Sequence, residues 1–484
     1  MGPVNVNHRW ISAALLAVAT LCAAASAPAA TVRRATPVPA SPAAPAEAPG
    51  TSFKDRCIAS DSDPAAAPAF ATVPAAPSSA PLPAAARAPR MNLLELVQVA
   101  IRRSNAVGAA HMLAEAASYD IDEQRLARMP QASISGQIGG VDAGAPNTTS
   151  THGLQFQGGV NVSAPIYDGG RIHDLTNWRE HLADAARQGE LSAQEQIALQ
   201  TVSLALERSR YNVESQVYEQ YAHKMGCLVE ALETIVSVDR GRTSELVQAK
   251  KTRQQAELMR DQSLSQKRLS ETRLRRFVGD DLPPIEGITS VMLDTPALPD
   301  LLTMASRSSE IQSLDSQASA LDSYVKAILD GQKPQLGVLL SATRSAGAGP
   351  SRSVSGGLTV SWQLFNASNA STTSAARKRA EAARMQREDA LEARKSRMAE
   401  VYEQAQHSMD RARAVVEILH NSDLVRNFTL QQWQQLGRRS LFDVMAAEGD
   451  HYNLRVQYVD ALYDTQQSNA MLWSLGLGLA VHLE

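Results

Sequence analysis

Between Arg171 and about Val238 the chain has no proline and only two glycines, Gly189 and Gly226. A continuous helix over that stretch would reach roughly 100 Å at 1.5 Å per residue. An ordinary globular domain does not hold a helix of that length. A second stretch of similar reach, from about Thr372 to Gln435, contains neither proline nor glycine. Apolar residues at Ile197, Leu204, Leu206, Val213, Val217 and Tyr221 recur at spacings of four and seven. That spacing predicts helices packed as a coiled coil, with Gln, Arg and Glu on their outer faces.

Short stretches of a different period precede each long helix. Leu154, Phe156, Val160, Val162, Ala164 and Ile166 alternate with Gln155, Gln157, Gly159, Asn161 and Ser163. Leu336, Val338, Leu340 and Ala342 alternate in the same way, as do Val354, Leu358, Val360, Trp362 and Leu364; Ser133 to Val141 is a weaker instance. A period of two predicts strands with one apolar and one polar face. At about ten residues each, the strands can cross a bilayer when tilted. The neighbouring helices are too polar to cover a sheet, so lipid suits the apolar face and a wet lumen the polar one. Four strands cannot close a barrel, and lipid tolerates no open edge. Several copies of the chain must therefore pool their strands.

The whole unit is duplicated. "LLELVQVAIRRSNAV" (93–107) resembles "LPDLLTMASRSSEIQ" (298–312), and "ARMPQASISGQIG" (127–139) resembles "GQKPQLGVLLSAT" (331–343). "VSAPIYDGGR" (162–171) pairs with "VSWQLFNASN" (360–369), and "GRTSELVQA" (241–249) with "GRRSLFDVMA" (437–446). Four landmarks in the same order define a repeat. The first, 91–290, holds a helix, strands 131–142 and 153–166, a long helix 170–238 and a helix 243–277. The second, 291–484, holds a helix, strands 335–344 and 353–365, a long helix 367–436 and a helix 440–476.

At the junction of strand and helix, Pro165 lacks an N–H and marks the exit from the ladder. Asp168, Gly169 and Gly170 turn the chain into the helix. At the far ends, Gly241 and Gly437 suit the left-handed position that ends a helix, followed by Arg242 and Arg438. Ser244 and Ser440 can cap the next helix, Ser440 together with Asp443 as a capping box.

Ahead of the repeats, residues 1–30 have the pattern of a secretory signal: His8 and Arg9, an apolar run from Ile11 to Leu21, then small residues. Leu21 is too large to precede a lipid-modified Cys22. Residues 31–90 are rich in Ala, Pro and Ser and predict a disordered tether. Of the three cysteines, Cys22 leaves with the signal, and no spacing demands a bond between Cys57 and Cys227. With 47 basic and 50 acidic residues, the charge balance gives no case for nucleic acid. No phosphate-binding loop, metal-ligand cluster or nucleophile motif is present, so neither enzymatic activity nor a cofactor is expected.

"VSAPIYDGGR", its decayed partner "VSWQLFNASN" and the paired turns "GRTSELVQA" and "GRRSLFDVMA" resemble the TolC-like outer-membrane factor family over residues 91 to about 480. The resemblance implies a mainly α protein with membrane β: a homotrimer whose four strands per subunit form a twelve-stranded barrel, with a long α-helical barrel in the periplasm. It also implies a passive exit duct that meets a periplasmic adaptor and an inner-membrane transporter. Small-molecule efflux and type I protein secretion are both open, and the missing lipid-attachment site leans toward secretion. A coiled-coil envelope scaffold without a pore is the rival from another class.

By position, Arg439 matches the arginine that helps latch the family's tip, and Asp443 the first aspartate of its entrance ring. The second aspartate falls on Ala446, and the acidic latch partner on Val247, with Glu245 nearby. Glu448 and Asp450 are the acids nearest to the gap. Asp443 has a competing role as a helix cap, and Arg439 as a solvated turn charge. Gly241, Arg242, Ser244, Gly437, Arg438 and Ser440 are the expected adaptor-contact turns.

Overall fold

The computed structural model describes residues 87–143, 151–280, 292–436 and 439–476, together with 282, 478, 479 and 483. The signal and nearly all of the tether, Cys22 and Cys57 among them, lie outside the described residues. All described residues belong to one compact unit, Ala59–Glu484.

The chain runs α1 (Arg87–Arg103), α2 (Asn105–Leu126), β1 (Gln131–Ala143), β2 (Thr151–Tyr167), α3 (Arg171–Val238) and α4 (Thr243–Val278). It continues with α5 (Leu298–Met304), α6 (Ser309–Asp330), β3 (Gln335–Gly347), β4 (Ser351–Ser361), α7 (Ser368–Leu436) and α8 (Leu441–Leu475). The duplication is visible in the element lengths. α2 and α6 each have 22 residues, α3 and α7 have 68 and 69, and α4 and α8 have 36 and 35. The repeats are not separate bodies, however. α6 of the second repeat packs on α3 of the first, and α8 also lies against α3.

The sheet is antiparallel, in the order β1-β2-β3-β4. Its register puts Ile134 opposite Val160, Val160 opposite Ala342, and Ala342 opposite Val354. Directly opposed residues share a face. The expected apolar and polar sides therefore run unbroken across all four strands. Ile134, Phe156, Leu340 and Leu358 are exposed on the apolar side. β4 stops at Ser361, short of the expected 365, so Trp362 and Leu364 lie beyond the strand.

The long helices pair through seven-residue stripes, of small residues on α4 and of larger ones on α8. On α4 the buried positions Ala249, Ala256, Ser263 and Ser270 are seven apart. On α8, Val444, His451, Tyr458, Thr465 and Leu472 keep the same interval. So do Met398, Ala405 and Ala412 on α7. A seven-residue stripe seats one helix on another in a left-handed supercoil, and small side chains let the axes approach. Of the expected coil positions on α3, Ile197, Leu206 and Val217 are buried, while Leu204, Val213 and Tyr221 are only half-buried. One core gathers Leu93, Leu96 and Val97 of α1, Val202 and Leu206 of α3, Leu274 of α4, and Val459 of α8. Cys227, near the far end of α3, is disulfide-bonded.

Midway along, an ion cluster joins the two coiled pairs. Arg210 of α3 lies 2.9 Å from Glu214, 2.9 Å from Asp460 of α8 and 3.1 Å from Asp464. Arg411 of α7 reaches Asp464 at 2.8 Å. Burial, and then the neighbouring Asp460 carboxyl, push the Glu214 carboxyl up to about 7. A carboxyl that binds its proton more tightly folded than unfolded lowers stability as pH rises from about 4.5 to about 7, and has no further effect above that. The expected outcome for Glu214→Gln is a melting temperature that falls less than wild type between pH 5 and pH 8. The difference should be on the order of 2 kcal/mol. Parallel pH profiles for the two proteins would show that Glu214 does not carry this dependence.

Candidate functional site

The first strand-to-helix junction is built on Asp168. Its carboxylate accepts from the backbone N–H of Gly170 at 3.2 Å and of Ile172 at 2.5 Å, tying off the start of α3. Gly169 and Gly170 have φ of 71° and 99°, left-handed values that exact strain from other residues. Space forbids side chains there as well. A Cβ on Gly169 would sit 2.9 Å from Lys333 Cβ, and one on Gly170 would sit 2.8 Å from Asp330 Oδ2. Lys333 Nζ donates to the Gly169 carbonyl at 3.1 Å and pairs with Asp330 at 2.6 Å. The end of α6 in the second repeat thus clamps the junction of the first.

Pro165 does not end the ladder. It pairs with Gly337, a register shift follows between Pro165 and Tyr167, and β2 continues to Tyr167. The proline sits in an irregularity that bends the strand before the helix begins.

The second junction lacks the glycines but keeps the cap. The Asn366 side-chain oxygen accepts from the Ser368 N–H at 3.0 Å and from the Ser368 hydroxyl at 2.8 Å. Asp168 and Asn366 occupy the same place in the two repeats. Reading the junction by its glycines missed Asn366. The shared Asp/Asn, a residue type that bonds to backbone two positions on, was the available signal.

At the opposite end of the long helices, the first turn departs from expectation. Gly241 is not in the left-handed region. The turn is made by Asp239, whose carboxylate accepts from the Gly241 N–H at 2.9 Å, and by a 3-10 turn over Arg240–Arg242. Ser244 is not a cap either: α4 begins at Thr243, and the capping position is Arg242, which makes no side-chain cap bond. Asp239 does locally what a left-handed glycine would do, because its short carboxylate can close on the backbone.

In the second turn, Gly437 and Arg438 lie outside the described residues. Ser440 is the helix cap, and the reciprocal box with Asp443 is complete, with both bonds at 3.3 Å. Arg439 stands 3.8 Å from Asp443 and donates to Gln432 at 3.2 Å. The two gate candidates are therefore side by side and exposed. Val247 and Ala446 are exposed as well. Glu448 is 1% exposed and lies 3.6 Å from Arg426, so it does not stand in for the missing ring acid, whereas Asp450 is exposed. Beneath both turns Met225, Leu228, Leu232, Leu441 and Val444 form one core, so the hairpins share a base.

Among the described residues no helix is long and apolar enough to cross a membrane, and no group of acidic, His or Cys side chains is placed to hold a metal.

A four-stranded sheet thus feeds twice into long coiled helices. Residues 303–476 match the family model "Outer membrane efflux protein". The fold matches a membrane protein from Pseudomonas aeruginosa (TM-score 0.70, 16% identity, covering 80% of this chain and 92% of that one). It also matches the CmeC outer membrane channel of Campylobacter jejuni (0.68, 14%, 80% and 86%) and the open state of the Neisseria gonorrhoeae MtrE channel (0.67, 14%, 80% and 89%). At such identities the likeness is one of fold. No curated protein matches the chain in sequence. Residues 303–476 thus carry an outer membrane efflux protein domain, and the likeness of fold extends over about 80% of the chain.

Three substitutions test the local geometry. Gly170→Val should block assembly of the junction, read as loss of the folded, heat-modifiable species on gels, whereas Ala367→Gly at the second junction should not. Ser440→Ala should cost about 1 kcal/mol of stability through the lost cap, read as a lower melting temperature.

Proposed function

We propose that this chain is the passive exit duct of a tripartite export system, docking to a periplasmic adaptor and an inner-membrane transporter. The observation that carries this reading is the sheet. One face is apolar and exposed except for the row of Arg344 and Arg352 and for Asp142 and His152 at its tip, and among the described residues β1 and β4 each pair on one side only. Lipid admits such a sheet only when the edges are paired. Closed cyclic symmetry supplies the pairing, and three copies pool twelve strands into a barrel. Exposed apolar residues on the helices fit the same assembly: Ile418, Val425 and Phe428 on α7, and Leu258 and Met259 on α4. The helices then enclose a tunnel that ends at the turns near Gly241 and Ser440. The duct itself performs no catalysis, and its driving energy comes from the transporter.

Two observations bear on the cargo. Leu21 before Cys22 disfavours a lipid anchor and leans toward type I protein secretion. The description of the matched family names efflux without naming a cargo, which keeps the small-molecule reading open. Deleting the gene separates the two. Loss of one secreted protein with unchanged drug tolerance supports secretion, and heightened drug sensitivity with normal secretion supports efflux.

Conductance of the purified protein in a planar bilayer tests the duct itself. A channel is the expected result, and its absence under every condition would favour a structural scaffold. Arg439→Ala and Asp443→Ala should raise that conductance or change its block by cations. A lowered melting temperature with unchanged conductance would assign the pair to capping alone.

A further inference from the structure

Among the apolar residues of the outer sheet face, one row is different. The register aligns Gly136 with Gly158, Gly158 with Arg344, and Arg344 with Arg352 across the four strands. The rows on either side are apolar: Ile134, Val160, Ala342 and Val354 toward the helices, and Ile138, Phe156 and Ala346 beyond. The two arginines therefore project from the face read above as facing lipid. They do so as directly opposed like charges, a pairing that is unfavourable on its own. Both are exposed, and among the described residues neither has an ion pair.

Their height is informative. The row lies eight residues along β3 from Leu336, about 27 Å of strand at 3.4 Å per residue. A tilt near 40° makes that roughly 20 Å along the membrane normal, against an apolar band of about 25 Å. The exposed aromatics Tyr167, Trp362 and Phe365 mark the helix-side boundary. The arginine row thus falls at the outer boundary, where lipid headgroups begin.

The two glycines complete the feature. A Cβ at Gly136 or Gly158 would meet nothing within 4 Å, and neither needs a left-handed backbone. Their effect is a side-chain-free recess beside the arginines. A shallow groove of about 960 Å³ is lined by Val160, Ala342, Arg344, Arg352 and Val354. A second, of about 590 Å³, is lined by Ile138, Phe156, Gly158 and Arg344. Guanidinium forks match phosphate oxygens in pairs, and the apolar groove lined by Ile138 and Phe156 suits an acyl chain.

We propose that Arg344 and Arg352 bind the phosphate of a lipid headgroup in the outer leaflet, with its acyl chains lying over Gly136 and Gly158. The site rests on the barrel reading above. The test uses full-length protein inserted into phosphatidylethanolamine vesicles containing bisphosphorylated lipid A, then gently extracted for native mass spectrometry. Wild type should retain lipid A, and R344S/R352S should retain at least tenfold less while keeping the heat-modifiable fold. R344K/R352K should fall between them, because an ammonium keeps the charge but not the fork. Gly158→Val should also reduce retention. Dephosphorylated lipid A should bind wild type no better than the phosphorylated form binds the double serine variant, and millimolar inorganic phosphate should displace nothing. Equal retention by wild type and R344S/R352S, or equal binding of the dephosphorylated lipid, would overturn the site and leave arginines that merely reach for water. Displacement by inorganic phosphate would overturn the lipid as ligand. Failure of wild type to enter vesicles at all would overturn the barrel reading, and this site with it.

Discussion

The free edges of the sheet are the constraint on which the rest of the molecule depends. Four antiparallel strands satisfy their inner hydrogen bonds and leave β1 and β4 each with an unpaired row. In water such a row is tolerable, but beside an exposed apolar face in a bilayer it is not. Pooling strands between copies answers both demands at once. It also determines what the helices must do. In the proposed assembly each strand pair would deliver its chain at the rim of a barrel, and the helix that follows would continue around the same axis.

The junctions and the coiled helices meet that demand with local chemistry. Asp168 and Asn366 start the two long helices by the same side-chain closure on the backbone. Only the first junction is pressed against the corner of α6 and β3, and only there are two left-handed glycines required. Along the helices, Ala and Ser at seven-residue intervals hold axes close without large side chains. That leaves bulky apolar groups such as Phe428 and Leu258 free on the outer surface, where neighbouring copies would cover them. The Arg210 cluster ties the first coiled pair to the second with charges rather than apolar bulk.

Much of the architecture was legible in the chain itself, because periodicity and duplication are local or repeated signals. Period two in the strands and the proline-free helical runs survive without tertiary information. So do the capping box at Ser440 and Asp443, and the paired order of the elements. What misled was reading one residue type as one conformation. Gly241 was expected to end a helix in the left-handed region, yet Asp239 makes that turn. Ser244 was expected to cap and instead lies within α4. Large apolar residues make only part of the coil seam; on α4 it runs through Ala and Ser, whose burial follows from spacing and not from hydrophobicity.

The sequence by itself determined that this chain forms long polar helices joined to two-faced strands, twice over, because hydrogen bonding and side-chain period are set within a few residues. Only the tertiary structure decided which residues meet across the repeats: Lys333 and Asp330 against Gly169 and Gly170, Arg210 against Asp460, Arg344 against Arg352. Those meetings depend on strand register and helix stagger. Both are sums of many weak packing preferences, and a shift of one strand residue would turn every side chain to the opposite face.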